Sequence, residues 1–172
     1  MRVLGIDPSI QSTGYGIIEY SQNTYSVLKY GVIRPSRSQL FHHKINKIRS
    51  SLEDIIVTFE PEEVAIENPF YAQNIKTAIT LGQVRGAALV AIATHNCALH
   101  EYSPLEIKKA VTGYGRADKN QVQMMVKTLL NLGDEKLETD ASDALAAAYC
   151  HLSSRIFQQK IDESERKSKE KK

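Results

Sequence analysis

The sequence predicts an α/β domain built on a five-stranded mixed sheet, an antiparallel meander plus two parallel strands, flanked by helices. Three observations carry this. Three short apolar runs follow one another before Pro35, joined by brief polar links, which is how an antiparallel meander reads. A stretch with helical apolar spacing then separates the first run from a fourth of the same shape, each ending in an acid beside a proline. A fifth run follows a second long helical stretch. Helices between strands of one sheet imply right-handed crossovers and parallel pairing.

Val3-Leu4-Gly5-Ile6-Asp7-Pro8 opens the chain as a buried strand that stops at Asp7, because Pro8 has no N–H for a ladder. Taken alone, Asp7 before proline is an ordinary turn-former. Ser9 to Thr13 forms a polar turn, Gly14–Tyr20 a second strand, and Tyr25–Arg34 a third with Val27, Tyr30, Val32 and Ile33. Phe41, Ile45, Ile48, Leu52, Ile55 and Ile56 recur at helical spacing until Glu60-Pro61. His42 and His43 are adjacent on that helix, point to different sides, and read as solvated surface. Val64-Ala65-Ile66-Glu67 then repeats the shape of the first strand, with Asn68-Pro69 behind it.

Lys76 to Thr94 is a long helix whose Gly82, Gly86, Ala87, Ala88 and Ala91 make a smooth face. That face suits packing on its own sheet or on a second copy of the chain, and both readings stay open. Cys97–Tyr102 is a fifth strand, and Pro104 starts a short helix bearing Lys108 and Lys109. Asp118 caps a helix from Lys119 to Leu132, stopped at Gly133. The last helix opens at Glu138 and carries Asp140 and Asp143 on one face. Its apolar body, Ala144 to Leu152, predicts burial, and His151 reads as a packing or surface residue rather than a ligand. Residues 1–157 form the domain. The charged segment 158–172 reads as a frayed helix or a disordered tail.

A chain of 172 residues suits one domain. No apolar run is expected to span a membrane, which needs about 20 residues, and no secretory signal is expected. Cys97 and Cys150 have no metal-ligand spacing and read as reduced core residues of a cytoplasmic protein. A net charge of +2 is too small for a globally polyanion-binding surface. Nucleic acid would need a local patch, for which Arg116, Lys119 and Lys127 around Tyr114 are candidates.

Asp7 and Glu67 at strand ends, with Asp140 and Asp143 at a helix mouth, form the chemical pattern. Ligands gather beyond the carboxyl ends of parallel strands. Clustered carboxylates repel and raise one another's pKa unless a cation joins them. Oxygen-only ligands suit Mg²⁺ or Mn²⁺ rather than zinc, and two such ions about 3.5–4 Å apart can drive in-line phosphodiester cleavage. The element order with its terminal acid-bearing helix matches the ribonuclease H-like plan.

Leu4-Gly5-Ile6-Asp7-Pro8, Thr13-Gly14-Tyr15-Gly16, Ala65-Ile66-Glu67, Leu81-Gly82-Gln83-Val84-Arg85-Gly86 and Asp140-Ala141-Ser142-Asp143-Ala144-Leu145-Ala146 occur in this order. In these stretches the chain resembles the RuvC family of Holliday junction resolvases along almost all its length. The resemblance implies a homodimeric endonuclease that cuts two symmetric strands of a four-way DNA junction in recombination and repair. It assigns catalysis to Asp7, Glu67, Asp140 and Asp143, binding Mg²⁺ with Mn²⁺ able to substitute. It sets Lys108 and Lys119 near the scissile phosphate, makes Phe70 a ring that stacks on junction bases, and brings the branch-migration proteins RuvA and RuvB as partners. Ser9 departs from the family's usual glycine after Asp-Pro. Rival readings are a ribonuclease H-like nuclease on another nucleic acid, an actin- or sugar-kinase-type phosphate-binding protein, and a non-catalytic nucleic-acid-binding module.

Overall fold

The first apolar run becomes the central strand. In a computed structural model, which describes residues 1–68, 74–133 and 136–169, the strands are β1 (Arg2–Asp7), β2 (Thr13–Ser21), β3 (Thr24–Ile33), β4 (Glu63–Glu67) and β5 (Ala98–Tyr102). The helices are α1 (Phe41–Phe59), α2 (Ile75–Thr94), α3 (Pro104–Thr112), α4 (Lys119–Leu129) and α5 (Thr139–Lys169). Sheet order is β3-β2-β1-β4-β5. β1, β2 and β3 pair antiparallel, while β4 lies parallel to both β1 and β5. The mixed five-stranded sheet is therefore the one expected.

Strand alternation sorts the core into two layers. Leu4, Ile6, Ile17, Val64 and Ile66 pack against Ile48, Leu52 and Ile56 of α1 and Val84, Ala88 and Ala91 of α2. Val3, Ile18 and Ala65 face the other way, in one apolar cluster with Ile107, Val122, Ala141 and Leu145 of α3, α4 and α5. By the same period of two, Gly5, Asp7, Glu63 and Glu67 lie on the α5 side. That shared side is what makes a site available.

Local signals set several boundaries. Glu60 adopts a left-handed conformation (φ 46°) and its N–H donates to the Ile56 carbonyl, ending α1 before Pro61. Ser103 with Glu106, and Asp118 with Gln121, form reciprocal capping boxes at α3 and α4, an N-cap being worth about 1 kcal/mol. α4 stops at Leu129 rather than at Leu132, because Asn131 already takes a left-handed backbone (φ 52°) ahead of Gly133. α5 continues through Gln158 to Lys169. Ser154 to Arg166 are nonetheless mostly exposed. Cys97 is half-buried and Cys150 buried, and both are free.

α2 corrects one expectation. By length and composition it is long and apolar enough to cross a membrane. Its alanines Ala87, Ala88 and Ala91 are buried inward, while Ile75, Ile79 and Val90 are exposed. Gly82 and Gly86 have nothing within 4 Å of where a Cβ would project. The smooth face thus divides, with alanines on the core and glycines on the open side.

Candidate active site

Ile6 pairs with Ile66, so the next residues, Asp7 and Glu67, end neighbouring parallel strands on the same face. α5 crosses directly over them. A Cβ at Gly14 would lie 1.9 Å from the Asp140 carbonyl oxygen, and one at Gly5 would lie 1.9 Å from that of Ala144. Only residues without a side chain let the helix backbone sit this low. The close approach carries Asp143 to the strand ends. Asp7, Glu67 and Asp143 line one cleft of about 370 Å³ with Lys108 and Lys119, against an apolar wall that includes Ile107 and Val122.

Burial and crowding hold these acids away from their ordinary titration. The Asp7 carboxyl is pushed from 3.8 up to about 7, first by burial and then by the charges of Glu67, Asp143 and Asp140. Glu67 is raised by burial and by Asp143. Burial also raises Asp143, opposed by Lys119. Lys119 Nζ lies 3.4 Å from Asp143 Oδ2, and that carboxylate is the main reason the Lys119 pKa is raised. One bonded lysine does not balance three half-buried carboxylates. Their all-oxygen donor set and unmet negative charge fit a hard divalent cation such as Mg²⁺ or Mn²⁺.

The other expected residues are less central. Asp140 stands in the first turn of α5, half-buried. It is not among the residues lining the cleft, yet its charge acts on Asp7. Arg116 is exposed on the loop between α3 and α4 and does not line the cleft. Phe70 lies outside the described residues. Ser9 needs no glycine-like backbone, since it lies outside the left-handed region. Its N–H donates to Thr13 Oγ1 (3.2 Å), and the Thr13 hydroxyl donates to the Ser9 carbonyl (2.6 Å).

Sequence reasoning missed a positioning residue. Arg85 of α2 donates to the Glu67 carbonyl at 3.1 Å and pairs with Glu101, which accepts from Asn68 Nδ2 at 3.0 Å. These bonds pin the end of β4. The sequence brought Arg85 forward only within the family-like stretch Leu81 to Gly86, with no hint of the strand end it faces. A second ion pair, Arg34 with Glu138, ties the end of β3 to the start of α5.

A central strand ending in a half-buried acid, met by acids from its parallel neighbour and from the last helix, is the ground plan of the ribonuclease H-like nucleases. Residues 3–151 match the family profile described as "Crossover junction endodeoxyribonuclease RuvC". The chain belongs to that family.

Its relatives of that name include one from Caldanaerobacter subterraneus subsp. tengcongensis. The two are 48% identical over 154 residues, covering 90% of this chain and 93% of the relative. One from Alkaliphilus oremlandii is 46% identical over 151 residues, covering 88% and 92%. A structure described as "T. thermophilus RuvC in complex with Holliday junction substrate" superposes with a TM-score of 0.85 at 30% identity, covering 91% of this chain and 96% of that one. The yeast mitochondrial Holliday junction resolvase shares the fold, with a TM-score of 0.62 at 14% identity, over 86% and 77%.

Proposed function

We propose that this chain resolves four-way (Holliday) DNA junctions by metal-dependent phosphodiester hydrolysis, making paired symmetric nicks in recombination and repair. The supporting observation is the shared cleft of Asp7, Glu67 and Asp143 in a member of the RuvC family. These three, with Asp140 beside them, would hold Mg²⁺, with Mn²⁺ able to substitute and two ions per site. Bound there, such ions supply Lewis-acid polarisation of the phosphate and a more acidic water. Asp7 must first give up the proton that burial favours. With Asp143 holding an ion, Lys119 would be released from it to meet the phosphate, beside Lys108, which also lines the cleft. Arg85 keeps Glu67 aimed by holding its carbonyl. Phe70 stacks on junction bases by likeness to the family, and Arg116, on an exposed basic loop beside Tyr114, meets the phosphate backbone.

The test is incubation with a synthetic four-way junction and a linear duplex, with and without Mg²⁺. Symmetric cutting of the junction alone, and only with the ion, is expected. Equal cutting of the duplex, or cutting without divalent ions, overturns the reading.

Two symmetric nicks ask for two sites related by a two-fold axis. The outer face of α2 suits the contact: Ile79, Gly82, Gly86 and Val90 follow one another at helical spacing. Ile79 and Val90 are exposed, and both glycines face open space. A helix apolar on both sides wants a second cover. Val90→Glu should turn a sedimenting dimer into a monomer and uncouple the paired nicks. A wild-type chain that sediments as a monomer, or a variant that remains dimeric, refutes this interface. RuvA and RuvB as partners, and a cytoplasmic location, complete the reading.

A further inference from the structure

We propose that Glu63, His100 and His151 form a second metal site, distinct from the acidic cleft, that takes a transition ion of the zinc class. Glu63 and Glu67 begin and end the same strand on the same face, roughly 13 Å apart at about 3.3 Å per residue. Asp143 and His151 are eight residues apart on α5, roughly 12 Å at 1.5 Å per residue. The strand and the helix therefore meet twice, once at each end. The acids meet at one end and a carboxylate with imidazoles at the other.

One ligand atom from each of Glu63, His100 and His151 lies within 4.8 Å of the others. His151 Nε2 bonds to Glu63 Oε2, and His100 Nε2 is 3.5 Å from that same oxygen. The two imidazole rings stand 4.3 Å apart. Zinc bonds of about 2.0–2.2 Å in a tetrahedral site put ligand atoms roughly 3.3 Å apart. The His100–Glu63 spacing already suits that, and the Glu63–His151 pair opens once its shared proton leaves.

The surroundings are those of a ligand set. The Tyr102 hydroxyl lies 2.7 Å from His151 Nδ1, the outer contact that orients a metal-binding histidine. Arg155 holds the other Glu63 oxygen, Oε1, at 3.0 Å, which leaves Oε2 aimed at the two rings. The proton inventory closes without an outside acid or base. In the free site His151 donates from Nε2 to Glu63. In the loaded site that proton sits on Nδ1 and is donated to the Tyr102 oxygen, which can donate or accept.

Access and selectivity follow. His151 is fully buried and the Glu63 side chain 14% exposed, but His100 is 37% exposed, so an ion enters past His100 and keeps a water on that side. Two imidazoles favour zinc, cobalt or nickel over Mg²⁺, which separates this site from the all-oxygen cleft. A bound ion would clamp the start of β4, the middle of β5 and α5 together.

The experiment uses the untagged full chain with Asp7→Asn and Asp143→Asn to silence the cleft. It is titrated with Zn²⁺ against a chromophoric chelator, and separately with Co²⁺. One tight equivalent of Zn²⁺, unaffected by millimolar Mg²⁺, and the visible absorption of a tetrahedral cobalt site are expected. His100→Ala removes only a half-exposed ring. It should weaken Zn²⁺ binding at least about tenfold and abolish the cobalt bands while the circular dichroism spectrum stays the same. The proposal is overturned if no Zn²⁺ is retained, or if His100→Ala binds it equally well. Glu63, His151 and Tyr102 would then be a hydrogen-bonded anchor only. Because the readout is metal binding in a cleavage-dead chain, failure here leaves the nuclease reading untouched.

Discussion

Asp7→Asn should lower junction cleavage at least about 1,000-fold, leave junction binding intact, and make the metal-free protein more stable at pH 8. The first effect is loss of a central cation ligand, equivalent to about 4 kcal/mol of barrier. The second follows because an uncharged amide repels the phosphate backbone less than a carboxylate does. The third follows from linkage. In the folded chain the Asp7 pKa stands at about 7, against an ordinary 3.8. Between those values the folded state holds a proton that the unfolded state has released. The contribution of Asp7 to stability is therefore largest below about pH 4, and it declines as pH rises to about 7. The loss is on the order of 2–4 kcal/mol, and asparagine cannot incur it. Melting curves recorded from pH 4 to pH 8 without divalent ions should fall for wild type and flatten for the variant. Mg²⁺ should raise the wild-type melting temperature more at pH 8 than at pH 6, since the ion and the proton compete for Asp7. Normal cutting by Asp7→Asn would remove this residue from the mechanism. A variant whose melting temperature drops with pH as steeply as wild type would remove the electrostatic account.

Gly14→Ala should damage both the fold and the activity through a single methyl group. The added carbon would sit 1.9 Å from the Asp140 carbonyl oxygen, well inside van der Waals contact, and the obstacle is helix backbone that has no rotamer to change. Either α5 lifts or β2 shifts. Overpacking of this kind costs roughly 2–3 kcal/mol, a fall of roughly 5–10 °C in melting temperature for a chain of this size. A lifted α5 also draws Asp143 away from Asp7 and Glu67. The fraction that still folds at low temperature should therefore cut junctions at least about tenfold more slowly. Denaturant titration and single-turnover cleavage at 10 °C read the two effects separately. A variant that melts and cuts like wild type would show that this glycine does not set the helix height.

Much of this site was legible before folding because its signals are local. A strand that ends in an acid with a proline close behind announces itself within a few residues, and it does so twice, at Asp7 and Glu67. Capping boxes, the period of the helices and the run of alanines in α5 are likewise short-range. The meeting of Asp143 with the strand-end acids was inferable from element order together with likeness to the RuvC family. The cleft position of Asp143, and the more peripheral one of Asp140, depended on the height and rotation of α5 over Gly5 and Gly14.

Other features left no trace in the sequence. Arg85 reaches the Glu67 carbonyl across the helix–sheet boundary. Glu63, His100 and His151 converge from two strands and a helix, and His151 looked like a packing residue until its neighbours were known.

Residue order alone specifies the strands, the helices and the acids that end them, because hydrogen-bond patterns, proline stops and apolar periods act within a few residues. Which side chains share a pocket, and which apolar face is left uncovered, depends on contacts between segments far apart in the chain. Those contacts are settled by packing, and packing has no signature in any single stretch.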